Sequence, residues 1–523
     1  MSNNNYPPPS YPPPDQPQYQ QQQQDNTYHV RPDIEHQQFG NDGYYEKPVP
    51  SQNFDDSFKI EKPKFNDLPF AIFFWLVVAG FIAVAGITLN ALRATYGFQG
   101  GSIYGSANTF TLNTNTIILF AFIIVMAFIL SAAIIVFARM APKAFIVTGV
   151  ILNVVLGIGT AIFYFVEKYY SAAVVFLVFA LIGAWCYWSS RHRIPLSATI
   201  LATVIDVMKM YPSTLITSFI GLIVSAAFSV LFSVVIVATY VKFDPNNSNE
   251  ACNVGGGSCS KSKLIGVLVF VFFAGFYISE VIRNVIHVVI AGIYGTWYYL
   301  ANSDQGAPRH PALASLKRAL TYCFGSICFG SLIVSLIQLL RQLISILRSN
   351  FAAEGNGWGV CGMIVLDFVI GFIDWLVRYF NKYAYCYVAL YGKSYIKSAR
   401  DTFDLIRYKG MDALINDMFI NTSLNLYSLF VAYLVALLAF LYLKFTKPAY
   451  NSGGDFYAPV IAFAFLIAGQ INRISLTVIE SGTATFFVAL AKDPEIYQMT
   501  NRNKFDEIFR NYPQVLEKIT TDH

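Results

Sequence analysis

Ten separate runs of roughly twenty apolar residues divide this chain, and that length is what a helix needs to cross about 30 Å of hydrocarbon. They lie near 69–91, 117–139, 144–166, 171–190, 213–241, 264–286, 320–341, 359–377, 424–444 and 459–481. Hydrocarbon offers no partner to backbone N–H and C=O groups, so continuous apolar runs of this kind must be helical. The expected fold class is therefore all-α, a polytopic transmembrane bundle of about ten spans. Only 13% of the 523 residues are charged, about half the share of a soluble domain. Two runs are irregular. The sixth continues as one apolar stretch over 264–301, too long for a single span, and reads either as one projecting helix or as a span followed by a broken or interfacial one. The eighth carries Asp367 and Asp374.

Basic residues set the expected orientation, because cytosolic loops collect Lys and Arg. Arg139 and Lys143, then Arg191, Arg193 and Lys209, then Arg309, Lys317 and Arg318, then Lys393, Lys397, Arg400, Arg407 and Lys409 fall in alternate loops. Both termini are thus expected in the cytosol. No apolar run starts at Met1, so no cleaved signal peptide is expected. Three regions follow: a tail over 1–66, a membrane domain over 67–491 and a C-terminal tail over 492–523. The first tail holds half of the 22 prolines and the run Gln20 to Gln24, a composition that cannot bury enough apolar area to order itself. Leu196 to Met210 is short for a span. It reads either as an amphipathic helix on the inner surface or as the end of the neighbouring span.

Polar residues inside apolar helices mark candidate sites, since ionisable groups at membrane depth need a partner or water. On the sixth run, Glu280, Arg283, Asn284, His287, Tyr294 and Tyr298 recur near one helical face, with Trp297 beside it. One reading is a cation pathway: Glu280 attracts the charge, and Tyr294, Trp297 and Tyr298 offer π faces to an ammonium that cannot donate a hydrogen bond. The other is a Glu280–Arg283 pair with aromatics that anchor the helix. The last run repeats the pattern with Gln470, Arg473, Thr477 and Glu480, and Arg473 is a candidate partner for Glu280. Gly325, Ser326, Gly330 and Ser331 read as a close-packing stripe.

Cys252 and Cys259 flank Gly255 to Gly257 in an outer loop, which suits a small disulfide; two free thiols are the alternative. Asn246-Asn247-Ser248 in that loop is a glycosylation sequon. Pro8-Pro9-Ser10-Tyr11 suits a WW-domain ubiquitin ligase as partner, with Lys47, Lys59 and Lys62 as acceptors, or is a chance match in a Pro/Tyr-rich tail. No cofactor is expected. The cysteines form no CxxC and no Cys/His cluster, so no metal site is expected. HExxH, GxSxG, Walker A and GxGxxG are missing, which argues against an enzyme. The net charge of +5 fits loops facing anionic lipid rather than nucleic acid.

Three stretches resemble the choline transporter-like family: His287 to Tyr299, Leu316 to Arg341, and the Tyr-rich run Asn381 to Tyr395 with Gly392-Lys393-Ser394. The Pro/Gln-rich tail is similar to that of the fungal branch. The resemblance implies ten spans, a plasma-membrane location and transport of choline or a related amine such as ethanolamine. The rival reading is a membrane organiser or lipid-interacting protein regulated through its tail.

Overall fold

The computed structural model describes residues 64–96, 114–245, 250–254, 259–301, 307–408, 412–447 and 457–510. The Pro8, Pro9 and Tyr11 motif, the three tail lysines, Lys409 and the Asn246 sequon lie outside the described residues. The helices in chain order are α1 (Leu68–Tyr96), α2 (Thr114–Met140), α3 (Pro142–Val166), α4 (Tyr170–Ser189), α5 (Ile194–Met210), α6 (Ser213–Phe243), α7 (Lys261–Leu300) and α8 (Pro311–Leu320). There follow α9 (Phe324–Ala353), α10 (Gly357–Tyr391), α11 (Tyr395–Tyr408), α12 (Asp412–Thr446), α13 (Tyr457–Lys492), α14 (Pro494–Thr500) and α15 (Arg502–Arg510). Among the described residues nine helices are long and apolar enough to span a membrane, and the bent pair α4–α5 makes a tenth.

Local chemistry sets the boundaries. Proline occupies the first turn of α3, α5, α8 and α14, where its missing N–H costs nothing. Ser260 and Asn356 cap α7 and α10 by accepting from the backbone N–H of Lys263 and Gly359. Gly392 ends α10 in a left-handed conformation at φ 59° that disfavours a side chain. The apolar stretch 264–301 is one unbroken helix. At about 1.5 Å per residue its 40 residues reach about 60 Å, twice the hydrocarbon thickness. Its second half is buried by protein along its whole length, from His287 to Leu300.

Leu196 to Met210 does not lie on a surface. A turn of 3-10 helix at Arg191–Arg193 bends the chain by 53°, and α5 then enters the core. Leu196, Ile200, Leu201, Val204, Ile205, Val207 and Met208 are all buried, against α2, α3, α12 and α13. The C-terminal region is also structured as far as Arg510: Tyr497 and Phe505 are buried, and Lys504 on α15 approaches Asp206 of α5 at 3.6 Å. Asp206 in turn binds Arg139 at the end of α2, at 2.5 and 3.0 Å. The basic loops read from the sequence therefore share one face of the bundle, called here the basic face.

On the opposite side, Cys252 and Cys259 are joined by a disulfide. The buried Lys242 ammonium, at the end of α6, organises that loop. It donates to the carbonyls of Ala251, Cys252 and Val254 at 3.0, 2.9 and 2.5 Å, so all three of its protons are received.

The segment leading into α1 is pinned to the basic face. Asn66 donates from Nδ2 to the Gly392 carbonyl at 2.7 Å and from its backbone N–H to the Tyr322 carbonyl at 3.3 Å. The Asp67 carboxylate accepts from Ser326 Oγ at 2.6 Å and from the Tyr395 N–H at 2.7 Å, thereby capping α11 from a distant part of the chain. Gly325 makes this possible: a Cβ there would lie 2.2 Å from the Asn66 oxygen. The sequence stripe of small residues thus admits backbone as well as neighbouring helices. Tyr395 closes the contact by donating to Asn381 Oδ1 at 2.5 Å.

Two measurements follow. Hydrogen bonds to a charged acceptor contribute about 1.5–3 kcal/mol each, so Asp67→Ala lowers the thermal unfolding midpoint of the detergent-solubilised protein markedly, and Asp67→Asn lowers it less. An unchanged midpoint in Asp67→Ala would show the segment to be free. Burial pushes the Tyr395 phenol up to about 12 from its ordinary value near 10. A raised folded-state value means that its contribution is complete below pH 10 and lost as pH climbs to 12, roughly 3 kcal/mol in all. Stability measured between pH 9 and 12 falls over that window, and Tyr395→Phe flattens the fall.

Candidate functional site

Three helices, α7, α10 and α13, meet at His287. Its Nε2 lies 2.8 Å from the Lys382 carbonyl of α10, and its Nδ1 lies 2.8 Å from Ser481 Oγ of α13. A carbonyl only accepts, so Nε2 carries the proton and donates to Lys382; in the neutral ring Nδ1 then accepts from the Ser481 hydroxyl. Cys386 and Thr485, one turn further along α10 and α13, contact each other behind this junction at 3.6 Å.

The same helices meet again at their C-terminal ends. The Tyr299 and Tyr391 hydroxyls donate to Asp493 Oδ2 at 2.7 and 2.9 Å, and lie 2.8 Å from each other. Tyr298 donates to the Asp493 backbone carbonyl at 2.9 Å. Tyr299, Tyr391 and Asp493 lie twelve, nine and twelve residues beyond His287, Lys382 and Ser481. The second junction is reached in the same chain direction on each helix, so α7, α10 and α13 run parallel. Between the junctions the packing is dense. Tyr383 to Leu390, Ile290 to Leu300 and Thr483 to Ala491 are buried without interruption. The Tyr294 hydroxyl donates to the Val204 carbonyl of α5 at 2.9 Å, and its ring fills the space that a Cβ on Gly482 would need, at 2.4 Å.

On the other side of His287 the same faces carry charge and are open. Glu280 is buried, yet both its oxygens are engaged. Oε2 accepts from Arg283 at 2.6 Å, and Oε1 from Arg378 at 2.6 Å and Gln338 at 3.1 Å. Arg378 continues to Asp374 at 3.0 Å, Asp374 to Arg341 at 3.8 Å, and Arg341 to Asp367 at 3.2 Å. Three carboxylates meet three guanidinium groups across α7, α9 and α10, so the cluster is neutral. The Arg283 and Arg341 side chains nevertheless keep 54% and 41% of their exposure. On α13, Gln470 and Arg473 are exposed and Thr477 and Glu480 half-buried. Charged side chains exposed inside apolar runs need water beside them.

A polar seam backs this cluster. Asn284 donates to Ser331 Oγ at 2.9 Å, and Tyr277, Tyr385 and Asn381 donate to the α9 carbonyls of Cys328, Ile327 and Gly330 at 3.2, 3.2 and 3.1 Å. The small residues of α9 leave its backbone reachable by these donors.

The geometry corrects the sequence reading on several points. Glu280 does not pair with Arg473; its partners are Arg283, Arg378 and Gln338, and Arg473 is exposed on another helix. Both oxygens of Glu280 are thus engaged by protein donors. Gln470 likewise stands outside the Glu280 network. Tyr294, Trp297 and Tyr298 are buried, and the carboxylate among the aromatics is Asp493, three or more turns away from Glu280. Trp297 and Tyr298 pack with Phe486 and Tyr497 at ring separations of 5.8–6.4 Å. Asp374 stood out only as an irregularity of the eighth run, Tyr299, Gln338, Arg341 and Tyr391 fell only within the family-like stretches, and Arg378 and Asp493 were not singled out from the sequence. An Asp374–Arg378 pair four residues apart inside an apolar run was the available signal.

Removing one member of a buried ion pair leaves the other charge uncompensated, at a cost of about 3–5 kcal/mol. Glu280→Gln is therefore expected to lower the unfolding midpoint and the yield of folded protein more than Arg473→Gln does. Equal midpoints for the two variants would remove Glu280 from its central place in the cluster.

Residues 174–495 match the family described as plasma-membrane choline transporter. The chain is 90% identical to Protein PNS1 of Candida albicans over 520 residues, 99% of this chain and all of that one. It is 71% identical to Protein PNS1 of Debaryomyces hansenii over the full length of both, and 52% identical to Protein PNS1 of Saccharomyces cerevisiae over 94% of this chain and 92% of the relative. The matched segment begins in α4 and ends just past Asp493, so it contains both junctions and the ion cluster. The chain belongs to the choline transporter-like family, among its fungal members.

Proposed function

We propose that this protein moves a small organic cation, with choline or ethanolamine first, across the plasma membrane, and that its basic face lies in the cytosol. The observation that carries the reading is the asymmetry about His287. Alternating access requires one side of a pathway to be shut while the other is hydrated. Here α7, α10 and α13 are tied twice toward the basic face, whereas charged groups stay exposed on the far side. The broken helix α4–α5 supports it as well, because broken helices at membrane depth are tolerated where protein surrounds them, and α5 beyond the break is buried in the core. The family description names choline, and the aromatic cluster near Asp493 is chemistry that suits a quaternary ammonium. Membrane lipids cover the exposed apolar faces, and a WW-domain ubiquitin ligase that reads Pro8, Pro9 and Tyr11 is the partner proposed for the tail.

One observation favours the rival reading of a membrane organiser controlled by its tail: the Asn66–Asp67 contact joins the root of that tail to α9, α10 and α11. Radiolabelled choline uptake into vesicles holding the purified protein separates the two. Saturable uptake above protein-free vesicles is expected. Uptake equal to the empty control at all concentrations would favour the organiser.

A further inference from the structure

We infer that Asp493 is both the latch of the inner gate and the carboxylate that pairs with the departing cation. The inference rests on the proposed cargo being an organic cation.

Asp493 follows α13 directly and stands at the N-cap of α14, where an aspartate ordinarily accepts from its own helix. Its side chain makes no such cap bond. It turns instead to the Tyr299 and Tyr391 phenols on α7 and α10, and both bond to the same oxygen, Oδ2. The carboxylate is half-buried, so it stands between the dense layer and the open side of the basic face. It is therefore the first anion that a cation meets on leaving the bundle past Tyr298 and Trp297.

The surrounding rings are already arranged about a positive charge. The Lys393 ammonium sits 5.9 Å from the ring centres of both Tyr387 and Tyr391, within the range of a cation–π contact, while bonding to the Asp401 carboxylate. A carboxylate beside phenol and indole faces is what holds a methylated ammonium, which has no N–H to donate. The exchange follows from the bonds. In the shut state two phenols satisfy Oδ2 and draw α7, α10 and α13 together. An arriving ammonium competes for the same carboxylate by charge, the tyrosines release, and the three helix ends separate. Closing reverses the exchange once the cation has left, so the gate opens only where a cation replaces the phenols.

The test uses the full chain in sealed vesicles, with choline transport measured separately from each side. Asp493→Asn keeps an oxygen that accepts from both tyrosines but removes the charge. It is expected to raise the KM for choline on the basic face at least tenfold, to leave the KM on the opposite face within twofold, and to be restored in part by Asp493→Glu. The Tyr299→Phe, Tyr391→Phe double variant keeps the charge and loses the latch. It is expected to make a cysteine introduced at Ala389 react faster with a charged thiol reagent applied from the basic face. An unchanged KM on the basic face in Asp493→Asn overturns the inference while leaving cation transport standing, and so does an equal rise on both faces. Unaltered cysteine reactivity in the double variant overturns the latch. If the wild-type protein carries no choline or ethanolamine at all, the cargo reading falls and this inference with it.

Discussion

Hydrocarbon receives no charge and no unpaired hydrogen bond, and that constraint arranges the rest of this protein. Each polar group on α7, α9, α10 and α13 has to find another helix or water. Glu280 finds two arginines and a glutamine, His287 finds a serine and a backbone carbonyl, and Asp493 finds two phenols. These contacts hold four helices in one register. The apolar faces alone would allow the helices to slide, since lipid tails are as apolar as leucine and do not favour one alignment over another.

The contacts divide into two kinds with different consequences. Those beyond His287 are neutral or singly charged and densely packed, with Asp493 half-buried at their end, which makes a firm closure. Those before it are ionic, mutually neutralised and partly exposed. Breaking one bond in the first group separates helix ends, whereas breaking one in the second leaves a charge stranded. Closure and ion cluster are thus neighbours along α7 and α10, and an ionisable residue in the membrane can be held entirely by protein. Glu280 illustrates this: it is the single acid of α7, and both its oxygens are engaged by protein.

Closure also draws in parts of the chain that lie outside the spans. Asp67 caps α11, Lys504 and Arg139 share Asp206, and Tyr497 stacks on Tyr298. Both ends of the membrane domain therefore reach the face where α7, α10 and α13 converge. A force or a partner acting on either tail is connected to that convergence by a short series of hydrogen bonds.

The sequence by itself determined the all-helical class, the approximate number of spans, the segregation of basic loops and the presence of polar stripes on α7 and α13. These depend on the composition and period of single segments, and hydrocarbon thickness converts run length directly into a span. It also determined the family, through Asn381 to Tyr395 and its companion stretches. Only the tertiary structure decided that α5 is buried, that α7 runs unbroken, that Glu280 answers to Arg378 and not to Arg473, and that Asp493 closes the helix ends. Those outcomes depend on which faces of distant helices meet. Hydrophobic periodicity locates a polar face on one helix, but it carries no information about rotation, register or partner, which are settled jointly when every buried donor and acceptor must be satisfied at once.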